Sequence, residues 1–262
     1  MLRERATNLL STRQLGIGVT DGATADAHCA RRFLSACREG EGILKLDFKN
    51  GFNSVERGEE LTAVYDHFPE LAPYIYSSYG TATYLFHGSR YILSSQGVQQ
   101  GDPLGPLLFA TATFNATSTP ECRFAVWYLD DGTLGGSSQE VLAGLDRVAE
   151  ACSSIGLELN AMKCETVSSS AEFSAAITNR LPGCRVTLPD SAELLGAPLG
   201  KEAANASLAN KVAALRSSRA RLSPVDRHDA LALFRVSLGN PRTTYILRAG
   251  PAFDSPQLKE YD

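Results

Sequence analysis

Residues 123–134 read Arg-Phe-Ala-Val-Trp-Tyr-Leu-Asp-Asp-Gly-Thr-Leu. Arg123 to Leu129 is rich in apolar, aromatic and branched side chains and predicts a strand. Asp130-Asp131-Gly132 predicts a tight turn, and Thr133-Leu134 opens a return strand. Upstream, Gly42-Ile-Leu-Lys-Leu-Asp47-Phe alternates apolar and polar as a half-buried strand does, and it also ends at an aspartate.

Working outward, residues 21–38 carry Ala25, Cys29, Phe33 and Ala36 or Cys37 at helical spacing. Asn53 or Ser54 is placed to cap a helix running to about His67, and a second helix is expected over Pro69 to Tyr79. Residues 81–95 form two β-rich runs around His87-Gly88-Ser89, a hairpin signal. The stretch Gln96 to Gly105 leads into a helix expected from Pro106 to Ala116. Residues 139–155 predict an amphipathic helix through Val141, Leu142, Leu145 and Val148. Short apolar pieces follow, at Leu157–Leu159, Cys164–Val167 and Leu194–Leu195, and helices are expected over 201–222 and 224–238. Strand, helices, hairpin, helix, strand-turn-strand, helix and strand in that order suit an α+β domain. Its antiparallel sheet would be covered by helices, and a split βαββαβ unit is one such arrangement.

The chain has 262 residues, of which 44% are hydrophobic and 21% charged, an ordinary globular balance. No apolar run approaches the roughly 18 residues of a membrane-spanning helix. The charged start Met-Leu-Arg-Glu-Arg lacks a secretory h-region, so an intracellular setting is expected. None of the six cysteines forms a Cys-x-x-Cys pair and the four histidines are scattered, which argues against zinc. Net charge is −4, with residues 1–200 holding 15 Lys and Arg against 23 Asp and Glu, and residues 201–262 holding 10 against 6. A polyanion would therefore prefer the carboxyl-terminal end; the alternative is a helix pair with solvated basic faces.

Asp47 and Asp130-Asp131 both follow buried-strand patterns. Taken singly they are explained by strand-end and turn preferences. As a pair they are more pointed, because carboxylates at neighbouring strand ends repel one another unless a cation lies between them. Hard cations such as Mg²⁺ take oxygen ligands and keep positions open for phosphates. Two such ions about 3.5–4 Å apart serve an in-line displacement at phosphorus.

With these residues in place the sequence resembles the reverse transcriptases, and among them those of non-LTR retrotransposons. Leu44-Lys-Leu-Asp47-Phe-Lys-Asn-Gly-Phe52-Asn-Ser-Val is similar to the family's motif A. Gly97-Val-Gln-Gln100-Gly101-Asp-Pro-Leu-Gly105-Pro-Leu-Leu-Phe resembles motif B, and Tyr128-Leu-Asp130-Asp131 motif C. Gly156-Leu-Glu-Leu-Asn160-Ala-Met-Lys163-Cys-Glu looks like motif D, and Leu194-Leu-Gly196-Ala-Pro-Leu like motif E.

The resemblance implies a right-hand polymerase palm with a ferredoxin-like antiparallel sheet packed on helices, partial fingers and a short helical thumb. Residues 1–40 would be partial fingers, and 41–178 the palm with inserted fingers elements. Residues 179–200 would be the palm–thumb junction and 201–262 the basic thumb-like region. The implied activity is Mg²⁺-dependent transfer of dNTPs to a DNA primer 3′-end on an RNA template, with Mn²⁺ as an alternative metal. Asp47, Asp130 and Asp131 match the metal-binding carboxylates, with the Phe48 carbonyl completing the ligand set, and Lys163 matches the lysine proposed as general acid. Phe52 matches the steric gate against a ribose 2′-hydroxyl; as an alternative it is a core phenylalanine at a helix start. Gln100 and Gly101 match the pair beside the incoming nucleotide and template. Lys211, Arg216 and Arg219 occupy the thumb's place, where a backbone is tracked by charge and shape.

Gly105 stands where many relatives carry serine. The family's basic fingers segment lies upstream of Gln14-Leu-Gly-Ile-Gly, and the chain begins too late to contain it, so a piece of a longer retroelement polyprotein is expected. The competing expectation is an inactive retroelement relic that binds RNA or a protein partner. A cyclic-dinucleotide cyclase would show a Gly-Gly-Asp/Glu turn, which this sequence lacks.

Overall fold

The computed structural model of the chain describes residues 2–238 and 241–251. They form two compact units, one drawn from residues up to 22 and 37–186, the other from 23–36 and from 187 onward.

The first unit is α+β. Its strands are β1 (Glu41–Leu46), β2 (Thr83–His87), β3 (Arg90–Ser94), β4 (Phe124–Tyr128), β5 (Asp131–Ser137) and β6 (Glu165–Val167), with β7 (Arg185–Thr187) at the boundary. Five of these make one sheet in the order β4-β5-β1-β6-β7. β1 lies antiparallel to both β5 and β6, and β4 antiparallel to β5. Helices connect β1 to β4 and β5 to β6, which is the split βαββαβ order expected from the sequence.

The registers assign the two sheet faces. Leu44 pairs with Leu134 and Leu46 with Gly132, while Trp127 also stands opposite Gly132. Successive residues point to opposite faces, so Leu44, Leu46, Trp127 and Leu134 share one. All four belong to the main core, with Val141, Leu145 and Val148 of the helix Ser138–Ser153 and Phe109 of the helix Gly105–Ala112. The helix Ser138–Ser153 starts at a capping box of Ser137 and Glu140.

Several local expectations are corrected. The Asp-Asp-Gly turn is displaced: the two-residue loop is Leu129-Asp130, and Asp131 and Gly132 already lie in β5. Gly132 serves packing instead, since an added Cβ would come within 2.4 Å of the Trp127 indole. The helix expected from Asn53 or Ser54 to His67 is two pieces, Gly51–Ser54 and Arg57–His67. The break falls at extended Val55, whose carbonyl accepts from Gly97 N–H, and at Glu56, whose N–H reaches Ile155. The helix expected over Pro106–Ala116 is likewise Gly105–Ala112 and Phe114–Ser118, parted at Thr113. The Thr113 hydroxyl bonds back to the Phe109 carbonyl, a contact that bends helices. The helices Leu2–Leu10, Ala171–Arg180 and Pro241–Ala249 were not anticipated.

The β2–β3 hairpin forms as expected, and its side chains, including Tyr84, Phe86, Tyr91 and Ile92, are exposed. In the second unit the helix Lys201–Leu222 matches its expected span and buries Ala204, Leu208 and Val212 at four-residue spacing. Residues 224–238 resolve into a helix Arg227–Leu233 followed by a π-helical turn, Phe234–Leu238. Arg31, from the helix Gly22–Ser35, donates to the Ala249 and Pro198 carbonyls. No helix among the described residues is long and apolar enough to cross a membrane.

Candidate active site

Asp47 follows β1 directly, and its own position is fixed by main-chain bonds. Its carbonyl accepts from Asn160 N–H at 2.8 Å, and Lys49 N–H donates to the Glu158 carbonyl. These two bonds flank an antiparallel bridge between Phe48 and Leu159. In such a pair the bridged residue's own N–H and C=O point the other way. The Phe48 carbonyl therefore lies on the edge of β1 along which β5 runs, where the other two aspartates sit.

The β1–β5 register brings Leu46 opposite Gly132, so the next step along it sets Asp47 level with Asp131. Asp130 occupies the hairpin loop beside them. It is packed against the turn that follows Asp47, where a Cβ added to Gly51 would meet the Asp130 Cβ at 3.3 Å.

Burial and neighbouring charge act on two of these carboxylates, Asp130 and Asp131. Burial, and then the charge of Asp47, raises the Asp130 carboxyl, while Lys163 pulls it down. Asp131 is exposed at the start of β5. Even so, the protein crowded around its carboxylate, followed by the charges of Asp130 and Asp47, pushes it up to about 6, with Lys45 opposing. Asp47 Oδ1 is buried and accepts no hydrogen bond. Lys163 Nζ lies 4.0 Å from it, on a side chain that remains 69% exposed.

These features test the site for a hard cation. The donors are all oxygen, one buried carboxylate oxygen has no hydrogen bond, and a main-chain carbonyl is directed to the same edge. Among the described residues no three His, Cys, Asp or Glu side chains are gathered closely enough to hold a metal ion by themselves. A Mg²⁺ ion here would need water and substrate phosphates to complete its shell, as is usual for that ion.

The other candidates are distributed as follows. Phe52 is half-buried and stacked flat on Phe109, with centroids 4.4 Å apart. Gln100 and exposed Gly101, the latter at φ +96° with open space around it, lie in the loop before the helix Gly105–Ala112. Arg216 and Arg219 are exposed and Lys211 half-buried on the helix Lys201–Leu222, in the second unit.

The sequence reading missed the residues that hold the Gln100–Gly101 loop. Tyr79 donates to Asp102 Oδ2 at 2.5 Å and accepts from Gln99 N–H. Arg57, almost fully buried, donates to the Gly97 and Ser94 carbonyls and stacks over the Tyr79 ring. Asp102, lying within the motif, was the available signal.

Residues 2–198 match the sequence model of the family "Reverse transcriptase (RNA-dependent DNA polymerase)". The chain belongs to the reverse transcriptase family. Among its curated relatives, this reverse transcriptase chain is 30% identical over 137 residues to the retrotransposable element SLACS 132 kDa protein of Trypanosoma brucei gambiense. That match covers 48% of the chain and 12% of the relative. It is 31% identical over 180 residues to the retrovirus-related Pol polyprotein from type-1 retrotransposable element R2 of Nasonia vitripennis, covering 61% and 18%. The chain thus spans less than a fifth of the length of these relatives, and the expected kinship with retrotransposon reverse transcriptases is shown. Solved structures similar to this reverse transcriptase include apo telomerase from Candida tropicalis, at TM-score 0.48 and 12% identity over 65% of this chain and 36% of that one. Telomerase from Candida albicans in complex with the TWJ fragment of telomeric RNA matches at 0.47 and 11%, over 99% and 48%.

Proposed function

We propose that the chain is the RNA-directed DNA polymerase part of a retroelement, adding dNTPs to a DNA primer 3′-end on an RNA template. The observation that carries this reading is the buried, unbonded Oδ1 of Asp47 held beside Asp130 and Asp131, whose carboxyls are raised first by burial and then by neighbouring carboxylate charge. Burying a carboxylate oxygen without a hydrogen bond costs free energy, and apart from the Lys163 ammonium 4.0 Å away nothing among the described residues offsets it at Asp47, as a bound cation would.

Asp47, Asp130 and the Phe48 carbonyl would hold Mg²⁺, or Mn²⁺ in its place, with Asp131 adding negative charge alongside. When bound with a triphosphate, the metal pair supplies activation of the primer hydroxyl and charge neutralisation at the departing pyrophosphate. Lys163, exposed yet next to Asp47, can reach a phosphate from the solvent side and give up a proton there. Phe52 braced on Phe109 presents a rigid edge for excluding a 2′-hydroxyl. Gln100 and Gly101 would lie against the base pair being formed. Residues 41–178 then act as palm with inserted fingers elements, 1–40 as partial fingers and 179–200 as a junction. Residues 201–262 act as a thumb whose Lys211, Arg216 and Arg219 follow the nucleic-acid backbone by charge.

The test is extension of oligo(dT) on poly(rA) with Mg²⁺ and dTTP, comparing the chain with Asp130→Asn. Incorporation that disappears in the variant supports the reading. Incorporation that survives the substitution ends this mechanism. Absence from both folded proteins favours the relic that binds RNA or a protein without catalysing.

A further inference from the structure

Gln14 is 3% exposed, far in sequence from the aspartates, and has no part in the chemistry described so far. Its main chain adds to the outer edge of β4 as a parallel bridge. Leu15 N–H donates to the Trp127 carbonyl and Trp127 N–H to the Arg13 carbonyl, both at 2.7 Å. The ladder would end there, because β4 turns at Leu129. The Gln14 side chain continues it. Oε1 accepts from Leu129 N–H at 2.7 Å, and Nε2 donates to the Leu129 carbonyl at 3.2 Å. The same Oε1 accepts from Gly16 N–H at 2.9 Å. This pattern fixes the amide's orientation, since flipping it would set an NH₂ against two N–H donors.

Leu129 needs such a hold. It is a leucine at φ +57°, left-handed backbone that a branched side chain rarely adopts, and it is the first residue of the two-residue loop. The second residue of that loop is Asp130. Rotation of the Leu129 peptide would swing the Asp130 carboxylate away from Asp47. Gly16 closes the clamp from the other side: an added Cβ would meet Leu129 Cγ at 2.8 Å, so the leucine side chain rests against bare backbone there.

We infer that Gln14 is a positioning residue for nucleotidyl transfer: its carboxamide acts as a surrogate strand that holds Leu129 in the left-handed turn and so places Asp130. Its catalytic consequence rests on the polymerase reading above; its hold on the turn does not.

The test uses Gln14→Met, which keeps side-chain volume and removes all three hydrogen bonds, with two readouts. Amide hydrogen exchange at Leu129, measured by NMR, is expected to quicken by about tenfold or more, while Leu134 in the core of β5 is unchanged. Primer extension is expected to lose between about tenfold and a hundredfold in kcat, with KM for dTTP within about threefold. Adding Leu129→Gly, which adopts positive φ without strain, should recover part of that loss. Unchanged exchange at Leu129 overturns the inference. Faster exchange with undiminished extension overturns it equally. Should the parent chain fail to extend primers, the polymerase reading fails, and exchange alone then decides whether Gln14 holds the turn. Should Gln14→Met not fold, Leu129→Gly alone serves: retained extension with slow core exchange supports a turn limited by Leu129 strain, and lost extension contradicts it.

Discussion

Tyr79 and Asp102 share a 2.5 Å hydrogen bond that ties the helix Ala72–Tyr79 to the loop carrying Gln100 and Gly101. Burial, followed by the acceptor Asp102, raises the phenol's pKa, so Tyr79 remains a donor at any working pH. Its oxygen also receives Gln99 N–H. Tyr79→Phe loses both and should cost about 1–3 kcal/mol of stability, read from urea midpoints. If the loop contacts nucleotide as proposed, KM for dTTP should rise more than kcat falls. Unchanged KM would separate this bond from substrate binding.

Glu60 predicts a pH dependence of folding. It is fully buried, neither carboxylate oxygen has a hydrogen bond, and burial pushes its pKa up to about 8, with Arg57 opposing. The folded chain therefore holds a proton that the unfolded chain, near 4.5, releases. Stability from this group is full below about 4.5 and is lost as pH rises through about 8. Glu60→Gln should flatten the change in urea midpoint between pH 5.5 and 9, a change worth a few kcal/mol in the parent. An equally steep profile in the variant would show that another group titrates.

Lys163 separates activity from stability. Its ion pair with Asp47 is long, at 4.0 Å, and exposed, so Lys163→Met should alter stability by no more than about 0.5 kcal/mol. As general acid it should cost about 10²-fold or more in kcat, with KM for dTTP little changed. A variant of full activity would show that Lys163 is a solvated surface lysine with no part in catalysis.

Much of this arrangement could be read from the sequence, and the part that could not has a common cause. Period-two alternation before Asp47 and the apolar run before Asp130 show in a short window because each strand buries one face locally. The alternation of strands and helices along the chain suggests a split βαββαβ unit as one arrangement of the sheet. The exact loop was not legible, because Gly132 belongs to the strand for the sake of the Trp127 indole, a contact invisible to turn preferences. Gln14 reaches Leu129 across 115 positions, and Arg57 reaches Ser94 across 37. Such side-chain-to-backbone bonds leave no periodic trace. The helix Ala171–Arg180 escaped notice because only Phe173, Ser174 and Ile177 of its ten residues are buried.

Asp131 should trade stability for function. Its carboxylate is crowded by protein and by the charges of Asp130 and Asp47. Asp131→Asn relieves that repulsion, so the metal-free chain should melt at a higher temperature while primer extension falls. A variant that is both less stable and less active would mean the carboxylate has a structural partner.

The claim that these carboxylates are a metal site, and not merely strand-end residues, is tested most directly by Mn²⁺ binding. The measurement is an electron paramagnetic resonance titration of the chain with dTTP and a dideoxy-terminated primer on poly(rA), beside the same titration of Asp47→Asn. The account predicts that the parent removes Mn²⁺ from the free-ion signal and that the variant binds it at least about tenfold more weakly. Equal binding by the two proteins would contradict it.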